Sequence, residues 1–232
     1  KYIRCAPYMG LEASINTNNM NNTDKRRIMG KPTLYGISAS RAFRSIWAAE
    51  EIGLEYNHVA TSFRGDAQAE SYRSVNPNAR IPALVDGDFK LFESMAINLY
   101  LAQTYGPHLL AEGAQAQALT WQWTVWGISE IEPLQMQIVV QKLFTKPESR
   151  NAGIVAGAER ALERPLAVLN AGLADQAYLL GDEFTIADLN LSGVMDLFKN
   201  IEFETAAWPN VERWLKACYS RPSYQSAKRV GT

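Results

Sequence analysis

From Thr33 to Leu101 the rhythm of apolar positions switches between strand-like and helix-like. Thr33-Leu34-Tyr35-Gly36-Ile37 is a short apolar run closed by a Ser38 to Ser40 turn, and it predicts a strand. Phe43, Ile46 and Trp47 then share one helical face, and Gly53 ends that helix. Tyr56 to Ala60 predicts a second strand; Thr61 to Val75 is polar, with at most a short helix over Ala67 to Arg73. Ala83 to Val85 and Phe89 to Leu91 flank Asp86-Gly87-Asp88, a tight-turn signature, and predict a hairpin. Ile97, Tyr100 and Leu101 place one apolar face on a helix ending near Gly106-Pro107. Strand, helix, strand, short helix, hairpin and helix in that order fit a small α/β layer.

Beyond Pro107 the pattern is almost wholly helical. Ala158, Ala161, Leu162, Leu166, Leu169 and Leu173 follow helical spacing, as do Ile186, Leu189, Leu197, Phe198 and Ile201. Thr185 with Asp188 is a capping-box start. Val211, Trp214, Leu215 and Cys218 form the face of a last long helix after Trp208-Pro209. Pro133 and Pro165 fall inside helical runs and predict kinks. The expected organisation is an α/β domain over 31–106, a linker from Gly106 to Gly113, and an all-helical domain over 113–232.

The leading segment differs. Ser14 to Asp24 is rich in Asn and Thr, and Lys25-Arg26-Arg27 adds charge, so residues 1–30 are expected to be a disordered or non-native extension. A net charge of -1 gives no general attraction to nucleic acid or anionic membrane, and no apolar run approaches a membrane span. Cys5 and Cys218 lack metal-ligand spacing and cannot build a disulfide framework. His58 and His108 stand apart from cysteines and acidic clusters, which argues against a zinc site or a histidine triad.

Candidate chemistry gathers at two helix openings. Ser40 follows the first strand, and its hydroxyl either caps the helix or donates a hydrogen bond to a bound thiolate, which would favour the ionised thiol. Glu93-Ser94 opens the helix after the hairpin, where a hydroxyl and a carboxylate suit capping and ligand capture alike. The stretch from Asn76 to Ala96 could hold a short peptide, with backbone pairing at Ile81 and polar groups at Glu93 and Ser94. Trp121, Trp123 and Trp126 cannot all share one face, so Trp123 or Trp126 is a candidate for lining a cleft between the domains.

The Asn76 to Ala96 block resembles the glutathione-binding half of a cytosolic glutathione S-transferase. Tyr35-Gly36-Ile37-Ser38-Ala39-Ser40-Arg41 is similar to the start of serine-type, phi/theta-like bacterial members. The resemblance implies an α/β thioredoxin-like domain, a cis bond before Pro82, and an all-α helical C-terminal domain. It implies that Ser40 activates the thiol, with Ser38 as the alternative and Arg41 as a second donor. Glu93 and Ser94 would receive the γ-glutamyl group, and Ile81 would pair its backbone with the cysteinyl unit beside Pro82. Family members place basic side chains in the short helix for the glycine carboxylate, whereas this chain has Ala67 and Gln68 there, so Arg80, or more loosely Arg64, would compensate. No cysteine stands at the site, unlike omega- and lambda-type enzymes. The implied activity is conjugation of reduced glutathione, a co-substrate rather than a cofactor, to small hydrophobic electrophiles, in a cytoplasmic, detoxifying homodimer without metal, nucleic-acid or membrane partners. Glutathione-dependent peroxidase, dehalogenase or isomerase chemistry and a non-catalytic binding role are the alternatives.

Overall fold

The computed structural model describes residues 30–231; the leading segment discussed above lies almost wholly outside them. Strand β1 (Thr33–Tyr35), helix α1 (Ala42–Ile52) and strand β2 (Asn57–Val59) form a parallel crossover unit. A 3-10 turn over Asp66–Gln68 and the single turn α2 (Glu70–Arg73) lead to the hairpin β3 (Ala83–Asp86) and β4 (Phe89–Phe92). The sheet runs β2-β1-β3-β4, with Leu34 opposite Leu84 and Leu84 opposite Leu91. Helix α3 (Ser94–Tyr105) closes this layer. Gly53 stops α1 with φ 70, and its N–H bonds back to Ala49 and Glu50 carbonyls.

The helical domain begins with α4 (Ala114–Trp126), which passes through a π-helical turn, Gly127–Ile131, into α5 (Glu132–Val139). Pro133 is thus accommodated by a wider turn just before it, because its ring would collide with a carbonyl of a regular helix and it has no N–H to donate. A second π turn, Val140–Phe144, ends this rod. Helix α6 (Ala152–Gly172) continues across Pro165. Asn151 caps it, its side chain accepting from the N–H groups of Gly153 and Ile154.

The apolar positions from Ile186 to Ile201 are shared between α7 (Ile186–Met195) and α8 (Leu197–Asn200) and the irregular residue that follows, and the helix carrying Val211 to Cys218 is α9 (Pro209–Tyr219), followed after a second break by α10 (Pro222–Lys228). The second break has a direct cause: a residue before proline is pushed out of the helical region, and Arg221 is extended ahead of Pro222.

Helix α1 is the shared wall of the two halves. The sequence gives it one apolar face, yet Ala42 to Ala49 are all buried, Arg44 and Ser45 included. Its faces are taken up by α3, α7 and α10. Trp47 is fully buried, its Nε1 donating to Ser223 Oγ at 3.1 Å, and Glu51 forms an ion pair with Arg221. Among the described residues no helix is long and apolar enough to cross a membrane.

Candidate active site

Because β1 and β2 are parallel, the loops leaving them emerge side by side, and Gly36 N–H bonds Val59 O at 3.0 Å. Gly36 holds φ 138, and a Cβ there would lie 2.3 Å from the Ala42 side chain, so only glycine lets the chain turn so tightly into α1. His58, which the sequence left without a role, supports the same turn through a 2.7 Å contact from Nε2 to Gly36 O.

That turn separates the two candidate serines. Ser40 sits partly exposed at the opening of α1; its hydroxyl donates to Ile37 O at 2.7 Å and accepts from Ala42 N–H at 3.1 Å. Ser38 is buried, and its hydroxyl donates to Lys228 O of α10 at 3.4 Å. Arg41 turns to the helical domain, where its Nε donates to Glu132 Oε1.

The second half of the site rests on Asn76. This buried side chain donates from Nδ2 to Arg80 O at 2.7 Å and accepts from Asn78 N–H at 3.0 Å; the Tyr72 hydroxyl donates to the same Arg80 carbonyl at 2.8 Å. The loop so held delivers Arg80, whose side chain is exposed, then Ile81 and a cis bond to Pro82. Ile81 stands two residues ahead of the β3 ladder, on the side of Tyr35 and Tyr72. Gln68 is tied to the same loop, its amide donating to Ala79 O at 3.1 Å and Phe63 O at 3.3 Å.

Glu93 adopts φ 73, a left-handed conformation that carries strain for a residue with a side chain. The consequence is an exposed carboxylate and a buried Ser94 at the first position of α3, with Glu93 O accepting from Ile97 N–H at 2.9 Å. The Ser45 hydroxyl of α1 reaches Ser94 O at 3.5 Å, so the openings of α1 and α3 are neighbours. Ser40, Ile81, Glu93 and Ser94 therefore come from loops that the sheet and these two helices bring to one region.

The two candidate tryptophans are partly buried against the helical core. Trp123 and Trp126 meet edge to face at 5.3 Å, and Trp123 covers Gly172 at the end of α6. Both rings are used in packing the helical domain, because α6 pairs with this face of the rod, while Trp121 points out, 52% exposed. The exposed apolar side chains at the end of the rod are instead Val140, Leu143 and Phe144. Arg64, from the loop that follows β2, lies 5.4 Å from the Phe63 ring centre and 5.9 Å from that of Phe144, so this loop and the rod meet there. Neither Phe63 nor Phe144 is singled out by the sequence.

The glutathione S-transferase N-terminal domain model matches residues 31–103, and the C-terminal domain model matches residues 131–222. A glutathione S-transferase of Hyoscyamus muticus is 32% identical over 205 residues, which is 84% of this chain and 96% of that protein. Glutathione S-transferase 3 of Zea mays is 35% identical over 209 residues, covering 83% and 90% of the two chains. The theta class glutathione S-transferase of Xanthomonas axonopodis pv. citri, solved with glutathione bound, superposes with a TM-score of 0.80 at 29% identity, covering 87% of this chain and 99% of that one. By sequence, fold and relatives alike, this chain belongs to the glutathione S-transferase family and is a glutathione S-transferase.

Proposed function

We propose that the chain conjugates reduced glutathione to small hydrophobic electrophiles, with Ser40 as the thiol activator. The observation that carries this is the setting of Ser40: a partly exposed hydroxyl at the opening of α1 that accepts from Ala42 N–H while holding its own proton on Ile37 O. An accepted hydrogen bond strengthens the hydroxyl as a donor, and rotation about Cβ–Oγ exchanges Ile37 O for a thiolate sulfur. The thiol proton passes to solvent, the thiolate forms the new C–S bond, and the leaving group departs with its electron pair. Stabilising the thiolate at a helix opening raises the nucleophile's population at neutral pH.

In this reading Glu93 receives the γ-glutamyl ammonium and Ser94 its carboxylate, at the free N–H groups of α3. Ile81 pairs with the cysteinyl backbone beside Pro82, and Arg80 takes the glycine carboxylate, joined by Gln68 only if its amide releases Phe63 O or Ala79 O. The electrophile lies between the domains against Phe63 and Phe144, in place of Trp123 and Trp126. Glutathione is a co-substrate, no further cofactor is required, and the setting is a cytoplasmic, detoxifying homodimer. The glutathione carried by the Xanthomonas relative supports the ligand assignment.

The test is calorimetric titration with glutathione together with conjugation of 1-chloro-2,4-dinitrobenzene. Ser40→Ala is expected to retain binding and lose about 10- to 100-fold in kcat/KM, the value of one hydrogen bond to a charged group. Ser38→Ala should keep most of the activity. The reverse ranking would transfer the role to Ser38, and unchanged glutathione affinity in Glu93→Ala would refute the binding assignment.

A further inference from the structure

Glu132, at the start of α5, reaches two arginines of α1. Arg44 Nη2 donates to its Oε1 at 3.1 Å and Arg44 Nη1 to its Oε2 at 3.4 Å; Arg41 Nε also donates to Oε1. The arginines differ in their surroundings. Arg44 is buried and donates from Nε to Gly193 O at 3.2 Å, whereas the Arg41 side chain is 48% exposed and directly follows Ser40.

Two guanidiniums on one carboxylate leave one positive charge over, and of the two only Arg41 is exposed enough to meet a ligand. Among the described residues, the Glu51 carboxylate of α1 is paired with Arg221, and the exposed Glu93 carboxylate is assigned to the ligand's ammonium. Asp196 is paired with Lys228 at 2.5 Å, and Lys199 lies against the rings of Tyr219 and Tyr224. Burial pushes the Glu132 carboxyl up, but Arg44 and Arg41 more than reverse this and hold it below the ordinary carboxylate range. Glu132 therefore stays ionised at neutral pH.

We infer that Glu132 is a positioning residue for thiol activation: it fixes the Arg41 guanidinium beside Ser40, while Arg44 neutralises Glu132 and leaves the charge of Arg41 available to a bound thiolate. The inference rests on the reading that glutathione places its sulfur at Ser40. It assigns part of the activation to the helical domain, through a carboxylate that never touches substrate.

The experiment titrates the ultraviolet absorbance of the thiolate of bound glutathione against pH, with glutathione affinity and Tm measured on the same proteins. Arg41→Gln is expected to raise the midpoint by roughly one pH unit and to lower neutral-pH kcat/KM about tenfold, with little change in Tm. Arg41→Lys, which keeps the charge, should restore most of the shift. Glu132→Gln should shift the midpoint in the same direction, and adding Arg41→Gln to it should change little more. An unshifted midpoint in Arg41→Gln, or independent, additive shifts in the double variant, would overturn the inference. Because Arg41 is half exposed, its variants carry the test even if Glu132→Gln folds poorly. If the unaltered chain binds glutathione and shows no thiolate, the Ser40 reading itself falls and takes this one with it.

Discussion

Asp188 is the residue whose loss the fold should feel most clearly. It is fully buried in the first turn of α7, and all its acceptor capacity is in use. Oδ1 accepts from Leu179 N–H at 2.8 Å and from Trp214 Nε1 at 2.9 Å; Oδ2 accepts from the N–H and the hydroxyl of Thr185, each at 2.9 Å. Asp188→Ala strands two interior donors, Leu179 N–H and the indole of fully buried Trp214, at about 1–2 kcal/mol each, and removes a cap worth about 1 kcal/mol. The sum is about 3–5 kcal/mol, a large part of the roughly 5–15 kcal/mol that holds a domain folded. Burial pushes the Asp188 carboxyl up while its donors pull it back, so the charge itself is held only under opposition. Asp188→Asn is therefore the informative partner: it keeps an oxygen for Leu179 and Trp214 and loses only the Thr185 contacts, at about 1–2 kcal/mol.

Urea unfolding followed by circular dichroism reads both variants. With a slope near 3 kcal/mol per molar, the alanine variant should lower the midpoint by about 1–1.7 M and the asparagine variant by less than half of that. A shift below about 0.3 M for alanine, or equal shifts for the two, would show that these donors find other acceptors and that the hydrogen-bond reasoning is wrong.

Gly36→Ala should destabilise by about 2–5 kcal/mol, since it combines a positive φ with a 2.3 Å approach to Ala42, and thermal unfolding would detect it. The Glu132 cluster has a defined acid limb. Because its folded carboxyl lies below the ordinary 4.5, its stabilisation is present above that value and is lost as pH falls through the folded value; the midpoints of the unaltered chain and Glu132→Gln should converge there, and a constant gap down to acid would contradict it. Phe144→Ala should raise KM for an aryl electrophile several-fold with Tm nearly unchanged, whereas Trp123→Ala should remove about 3 kcal/mol of stability and spare KM; steady-state kinetics with calorimetry separates the two, and the opposite pattern would restore Trp123 to the cleft.

What was legible in the sequence was local. The Asp86-Gly87-Asp88 hairpin, the Gly53 stop and the Thr185–Asp188 box each encode their geometry within a few residues, and each appears where expected. The neighbouring placement of the Ser40 turn and Glu93-Ser94 followed from element order once the family pattern was recognised. The misses depend on what packs where. Arg44 carries no local signal of its burial, since nothing nearby announces a carboxylate 88 residues away. That Trp123 packs on Gly172 at the end of α6 is likewise a tertiary fact. Nothing in the sequence distinguishes Val140, Leu143 and Phe144 from core apolars, and only the fold shows that they are exposed.

The contacts that the sequence concealed are those that fix one domain against the other. Apolar packing around α1 tolerates sliding, because dispersion and burial have little directional preference. Hydrogen bonds do not, and α1 is held by a set of them from the helical domain. Arg44 binds Glu132 of α5 and Gly193 O of α7, while Asn98 of α3 donates to Arg44 O at 3.3 Å and to Asn190 Oδ1 of α7 at 2.8 Å, and Asn190 in turn donates to Thr124 of α4 at 3.1 Å. A shift of α1 by even one turn would break the bonds that Arg44 makes to Glu132, Gly193 and Asn98 in a dry interior, where an unmet polar group is expensive. Such contacts add less to stability than their number implies, and more to uniqueness of alignment. The proposed site depends on that alignment, because α1 carries Ser40 and Arg41 at its opening while Glu93 and Ser94 open its neighbour α3. On that proposal, a glutathione site written largely in the first domain acquires its final geometry from residues of the second.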